Sequence, residues 1–377
     1  MTAPTSGLKK LVLIGAGFGH LQMLRELASN RPADLTVTLV TPVLRPLYAA
    51  MIPGFIAGEY AREDMVLPLD GVIERSGARL VQGTCVGLDA AARTVTLSDG
   101  QVLPFTVLGL NTGTPYDREA IERDMPGARE HALLLRPFET FVQLWPHVAG
   151  MAQERAIHVA VIGGGATGVE TALAAAHRIT RPCGSRVTLI TGGPEPMASY
   201  PERVRARVAA LLRRRGITVL RERCVGFQPG EVLLANGARL VSDAPVVAIG
   251  GQPPAWLRDS GLALDEGGRV MVNAHQQSTS HLRVFAAGDV CSRTDRSDPH
   301  DGVFALRAGP VMAANVRAAL YEKPLQAHQP KPRSLNLLVS GGRRALAAWG
   351  PWCAHGAWAW HWKDRIDRRF VREFGVA

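Results

Sequence analysis

The chain has 377 residues, 46% hydrophobic and 20% charged, which is enough to bury a large core in two or three domains and unlike the composition of a disordered segment. No apolar run reaches the roughly 18 residues that a membrane-spanning helix needs. The five cysteines (Cys85, Cys183, Cys224, Cys291 and Cys353) have no CxxC spacing, so neither a disulfide framework nor a metal site is indicated and a reducing, cytoplasmic setting is expected. A net charge of +10, carried mostly by arginine, favours anionic partners such as dinucleotides or anionic lipid. Without a zinc-finger, helix-turn-helix or RNA-binding signature, nucleic acid is not expected.

The opening "KKLVLIGAGFGHLQML" imitates a signal peptide but has no small-residue cleavage site, and its glycines fit a different purpose. The run Leu11 to Ile14 predicts a strand buried on both faces. Gly15, Gly17 and Gly19 follow, then Leu21, Leu24 and Leu27 at helical spacing, and "LTVTLV" (35–40) closes a βαβ unit. Gly15 permits the tight turn, Gly17 lets the backbone approach a pyrophosphate, and the helix N-terminus supplies N–H donors and a positive dipole. This copy departs from GxGxxG, because His20 takes the place of the third glycine. Thr41 stands where an acid would hold a ribose hydroxyl.

Asn111, Thr112 and Gly113 in "VLGLNTGTPYD" end another strand. The second glycine turn, "IHVAVIGGGATGVETALAAAHRI", has the full spacing in Gly163, Gly165 and Gly168, with "SRVTLIT" (185–191) as its next strand. Thr191 and Gly192 again replace the ribose acid, so NADH and NADPH both remain open; Arg186 and Arg203 stand near enough in sequence to meet a 2′-phosphate. "VFAAGDV" (284–290) ends a strand in small residues beside Asp289, and a helix is expected from about Val303 to Leu320. Gly288 and Asp289 suit a flat ligand with sugar hydroxyls.

The order GxGxxG, strand–xTG, GxGxxG, AAGD resembles that of the two-dinucleotide-binding-domain flavoproteins, the pyridine nucleotide–disulfide oxidoreductase superfamily. The chain looks similar to the branch of type II NADH dehydrogenases and sulfide:quinone oxidoreductases. It looks closer still to the flavoprotein module associated with selenophosphate synthetase, through "RPLYAAMIPGFIAGEY", "GVFALRAGPVMAANVRAAL" and "WHWKDRIDRRFVREF". The resemblance implies FAD on the first turn and the GD motif, and NAD(P)H on the second turn. It makes the motif residues above cofactor-binding, His20 and Thr41 included, and adds Arg45, Val86, Thr167, Gly250 and Ala305. It also implies that Glu170 lies near the nicotinamide–flavin junction as a proton relay or ring-orienting group. The alternative for Glu170 is an acid complementing the helix dipole.

Residues 42–66 contain no cysteine, so the CxxxxC redox pair of the superfamily's disulfide reductases is absent. Cys183 and Cys353 have flanks unlike those of the sulfide oxidisers. Direct transfer from flavin to an acceptor is left, and in the resembling dehydrogenases that acceptor is a quinone. Their glutamine-bearing quinone motif is not found in "GVFALRAGPVMAAN".

"YEKPLQAHQPKPRS" (321–334) predicts a linker. Beyond it Trp358, Trp362, Ile366, Phe370 and Phe374 recur every four residues, giving a helix with one aromatic–aliphatic face. Residues 331–377 hold nine basic and three acidic side chains. This helix either lies on a membrane interface or docks on the body or on a second copy in a homodimer. "RVRARVAALLRRRG" (203–216) is expected to be a solvated basic helix face.

The fold class expected is α/β: two Rossmann-like dinucleotide-binding domains and a C-terminal aromatic and basic helical tail. The expected division is an FAD domain over 1–145 and 245–325, an NAD(P) domain over 146–244, and the tail over 326–377, with "DAPVVAIGGQPPAWL" as the return strand. The leading function is an FAD-dependent enzyme passing hydride from NADH or NADPH to flavin and electrons to a quinone-like acceptor, peripheral on the inner face of the membrane. A reductase for a selenium or sulfur substrate and a non-catalytic NAD(P)H-binding signalling flavoprotein are the alternatives.

Overall fold

A computed structural model describes residues 8–296, 302–331 and 333–375, without the side chains of 180–183, 302–304 and 375. In chain order the elements that place the site are β1 (Lys9–Ile14), α1 (Phe18–Ser29), β2 (Leu35–Thr41), β3 (Arg79–Gln82), β4 (Val107–Leu110), β5 (Leu133–Leu134) and α2 (Phe138–Glu154). They continue with β6 (His158–Ile162), α3 (Ala166–Cys183), β7 (Arg186–Ile190), α4 (Glu202–Arg214), β8 (Thr218–Leu220), β9 (Ala244–Val247), β10 (Val284–Ala286) and α5 (Gly302–Leu320). The last are β11 (Leu335–Val339), β12 (Ala345–Trp349), β13 (Trp352–Gly356) and α6 (Ala357–Gly375).

Two parallel five-stranded sheets form, in the orders β10-β4-β1-β2-β3 and β8-β7-β6-β9-β5. The central strands are continuous apolar runs because helices cover both faces: Leu11 to Ile14 and Val159 to Ile162 are all buried. Each sheet feeds a glycine turn into a helix whose inner stripe is buried, Leu21, Leu24 and Leu27 on α1 and Val169, Leu173 and Ala176 on α3. One apolar core runs from the first sheet through α2, where Phe141 and Trp145 are fully buried, to the second sheet and the C-terminal hairpins. The α/β class with Rossmann-like units is therefore what the chain adopts.

Three features differ from expectation. The strand 244–247 does not return to the first sheet; it pairs parallel with β6, Ala244 opposite Val159, and extends the second sheet. Its buried Val246 and Val247 require a sheet covered on both faces, and that position provides one. The expected linker is pinned at Gln326: the Asn315 carboxamide accepts from Gln326 N and donates to Gln326 O, both at 2.7 Å.

The third difference lies in the tail, where β11, β12 and β13 make an antiparallel sheet before the helix begins. On α6 the aromatic stripe divides. Positions four apart advance 400° round a helix, so a row from 358 to 374 drifts by about 160°. Trp358, Trp362 and Ile366 are exposed, while Phe374 is buried and Phe370 stacks on Tyr48 at 4.5 Å. The buried face instead carries Trp360, Lys363 and Asp367. Trp360 Nε1 donates to Glu59 at 2.6 Å, and Arg368 pairs with Asp64 at 3.0 Å, so the helix is docked on the body. No helix among the described residues is long and apolar enough to cross a membrane.

Candidate functional site

The first turn is held by one side chain. Gly19 N donates to Asn111 Oδ1 at 2.8 Å, and Asn111 Nδ2 donates to Ala287 O at 2.6 Å. Asn111 thus ties the first glycine turn, the xTG strand end and the GD strand end together. The closeness of the backbones explains the glycines. A Cβ on Gly17 would lie 2.4 Å from Asn111 Oδ1, and Gly15 combines φ +91 with a Cβ position 2.6 Å from Asn111 O.

The second turn is as tight. A Cβ on Gly168 would lie 1.9 Å from Gly163 O, and one on Gly163 would lie 2.2 Å from Ala248 O. Thr191, at the end of β7, donates its hydroxyl to Gly193 O at 2.6 Å and approaches Leu220 O at 3.3 Å, so it closes its own loop.

Both turns open into one cavity of about 2210 Å³. That exceeds the roughly 300–1,000 Å³ of a typical single-ligand pocket. The caps of α1 and α3 are Gly17 and Gly165; neither has a side-chain cap, and neither first turn holds an acid. Two sets of helix N–H donors and two positive dipole ends are therefore left for anions. This donor chemistry fits the diphosphates of two dinucleotides, one on each turn. On the GD wall Gly288 (φ +78) and Asp289 line the cavity, and Asp289 has no hydrogen-bond partner among the described residues.

Of the positions expected from sequence, Gly15, Gly17, Thr41, Val86, Asn111, Thr112, Gly113, Gly163, Gly165, Thr167, Glu170, Thr191, Gly250, Gly288, Asp289 and Ala305 line this cavity. Four do not. Gly19 and Gly168 sit behind their turns as packing positions. Arg45 is exposed and meets Asp70 at 3.4 Å across solvent. His20 is fully buried under the first turn, where burial lowers its pKa to about 4. Neutral, it donates from Nδ1 to Gly15 O at 2.6 Å and buttresses the loop from beneath.

Glu170 lies beyond the first turn of α3 and does not serve the dipole. Its Oε1 accepts from Val339 N of β11 at 2.7 Å. Burial pushes its pKa up to about 7, against the opposing pull of Lys363 and the Val339 N–H. Lys363 and Asp367 were not singled out in the sequence, yet they line the same cavity. The Lys363 ammonium donates to Ala50 O at 2.8 Å and to Asp367 at 2.5 Å. Burial raises Asp367 above the usual carboxylate range, and burial followed by the Asp367 charge raises Tyr48. Glu170, Lys363, Asp367 and Tyr48 thus line one cavity together and can hold or move a proton there.

No metal-binding cluster occurs among the described residues. Cys85 lines the cavity, but burial pushes its thiol up to about 12, which leaves it protonated and a poor nucleophile. Cys353 Sγ lies 3.6 Å from Arg203 O, and the side chain of Cys183 is outside the described residues.

Two parallel sheets whose glycine turns face each other across one cavity define a two-dinucleotide flavoprotein oxidoreductase. The chain belongs to the pyridine nucleotide-disulphide oxidoreductase family, whose model matches residues 9–313. It is an enzyme that uses a flavin and a nicotinamide nucleotide. Among its relatives is the NADH dehydrogenase-like protein YutJ of Bacillus subtilis, 24% identical over 76% of this chain and 77% of that one. Demethylphylloquinone reductase NdbB of Synechocystis is 25% identical over 89% of this chain and 86% of that one. The sulfide:quinone oxidoreductase structure from Aquifex aeolicus shares the fold with a TM-score of 0.79 at 18% identity, covering 97% of this chain and 91% of that one.

Proposed function

We propose that the chain is an FAD-dependent NAD(P)H oxidoreductase that reduces a quinone-like acceptor without a redox-active disulfide. One observation carries this reading: Glu170, on the helix of the second turn, accepts from Val339 N at 2.7 Å and lines the shared cavity with Lys363 and Asp367, its carboxyl pushed up to about 7 by desolvation. The unit built on the first sheet holds FAD and the inserted second unit holds NADH or NADPH. Bound flavin supplies hydride acceptance and onward electron transfer. The chain aligns the two rings, excludes water and manages protons. Reducing a quinone with one hydride equivalent takes one further proton from solvent, and in this reading Glu170 delivers it. Quinone enters this reading through the relative whose name is demethylphylloquinone reductase.

To test it, the flavin is bleached anaerobically with NADH or NADPH, and acceptors are screened for recovery of its absorbance. Recovery with a soluble quinone is expected. Recovery only with a selenium or sulfur compound would shift the function to that chemistry, and failure with every acceptor would leave a binding protein.

Membrane contact is part of the same proposal. Trp349, Trp352, Trp358 and Trp362 are each about half exposed, with ring centroids 6.4 Å apart along 352–358–362. The row ends at Ile366, on the cavity rim. Tryptophans at headgroup depth beside arginines suit an interface. The W352A/W358A/W362A variant is expected to bind phosphatidylglycerol vesicles at least about tenfold more weakly in a sedimentation assay. Unchanged binding would rule the surface out.

A further inference from the structure

Two arginines line the cavity with no acid within ion-pair distance among the described residues. Arg307 lies in the second turn of α5 and Arg333 just ahead of β11, and both are part of the cavity wall. Arg307 Nη1 approaches Arg333 O at 3.5 Å, which places the two residues side by side. Neither has a carboxylate within ion-pair distance among the described residues.

Their position follows from their neighbours. Ala305 sits against the GD turn, with its Cβ 3.4 Å from where a Gly288 Cβ would be. The strand that follows Arg333 ends at Val339, whose N–H binds Glu170. The pair therefore lies along the wall between the GD turn and Glu170, with Arg307 on a helix whose Gly309 packs against Gly19 at the start of α1. The side chains around it are apolar: Leu306, Leu335, Leu337 and Ala348. Arg307 is half-buried beside this apolar surface and Arg333 is exposed at the rim, so an anion entering the cavity meets two guanidinium groups without an ion pair to displace among the described residues. The planar fork of arginine matches carboxylate, sulfonate and phosphate oxygens.

We propose that Arg307 and Arg333 receive an anionic group on the electron acceptor, so that the acceptor class is an apolar ring bearing a carboxylate, sulfonate or phosphate. This rests on the same cavity being the acceptor site.

Binding, not turnover, tests it. The flavin-loaded protein is titrated calorimetrically at low salt with naphthalene-2-sulfonate and with 2-naphthol. The sulfonate is expected to bind about tenfold or more tightly than the alcohol, with the preference shrinking as salt rises. In R307Q/R333Q the ratio should fall to near one, and in R307K/R333K it should recover in part. The single R333Q, at the exposed rim, serves if the double variant fails to fold. Equal affinities in the unaltered protein, or a preference that survives R307Q/R333Q and R333Q, would overturn the proposal. So would loss of flavin from both glutamine variants with sulfonate preference retained, since the arginines would then serve the cofactor. A protein that binds the sulfonate through these arginines yet reduces no quinone would sink the quinone reading and leave this one standing.

Discussion

The variant Gly168→Val will keep its flavin and lose its response to reduced nicotinamide nucleotides. Even a single methyl at 168 would come within 1.9 Å of Gly163 O, and that oxygen is backbone and cannot swing aside. A valine forces the start of α3 away from β6 and removes the N–H donors aimed into the cavity. Losing two charge-assisted hydrogen bonds costs about 3 kcal/mol or more, a hundredfold or greater rise in the NAD(P)H dissociation constant. The first turn belongs to the other sheet, so the protein should purify yellow and still be bleached by dithionite. Gly17→Val is the mirror case: its side chain would strike Asn111 at the first turn, and colourless protein is expected. Normal bleaching of G168V by NADH or NADPH would remove the second turn from the mechanism.

Glu170→Gln should lower kcat about a hundredfold, within the usual range for a displaced proton-transfer group, while flavin content is retained. The amide can still accept from Val339 N, so packing is preserved and only the proton is lost. With a pKa of about 7, Glu170 is protonated below neutrality and can donate; turnover by the unaltered enzyme should decline on the alkaline side of pH 7. E170Q should lack that limb. If the limb persists in E170Q, another group supplies the proton.

The same residue makes a stability prediction. A carboxyl whose pKa rises from 4.5 unfolded to about 7 folded keeps its proton in the native state while the unfolded chain has released it. Stability is therefore fully present below pH 4.5 and falls as pH rises to 7, by about 3 kcal/mol for this group. Denaturant midpoints of the two proteins should converge at low pH, with E170Q the more stable above pH 7.

Both glycine turns were legible because a Cβ at Gly15, Gly17, Gly163 or Gly168 would strike neighbouring atoms, and that spacing survives in the one-dimensional pattern. Asn111 was legible as the end of an xTG strand, although its task of joining three distant segments was not. Sequence reasoning missed the sheet over 335–356 because β12, Ala-Leu-Ala-Ala-Trp, is buried at four successive positions and shows no alternation. Lys363 and Asp367 were hidden because a Lys and an Asp four apart on a helix resemble an ordinary surface pair. The tryptophan row, counted at four instead of 3.6, drew attention to the opposite face. Nothing local marks the side to which Arg45 turns, and it turns to solvent.

The clasp through Asn111 also bears on biosynthesis. Its amide reaches Ala287, and Glu170 leans on Val339, so each turn is braced by chain synthesised long after it. A ribosome would therefore release most of the chain before either nucleotide pocket had all its walls. Cofactor loading becomes a late event in synthesis, because fragments that stop before α6 lack the wall that Lys363, Ile366 and Asp367 give the chamber.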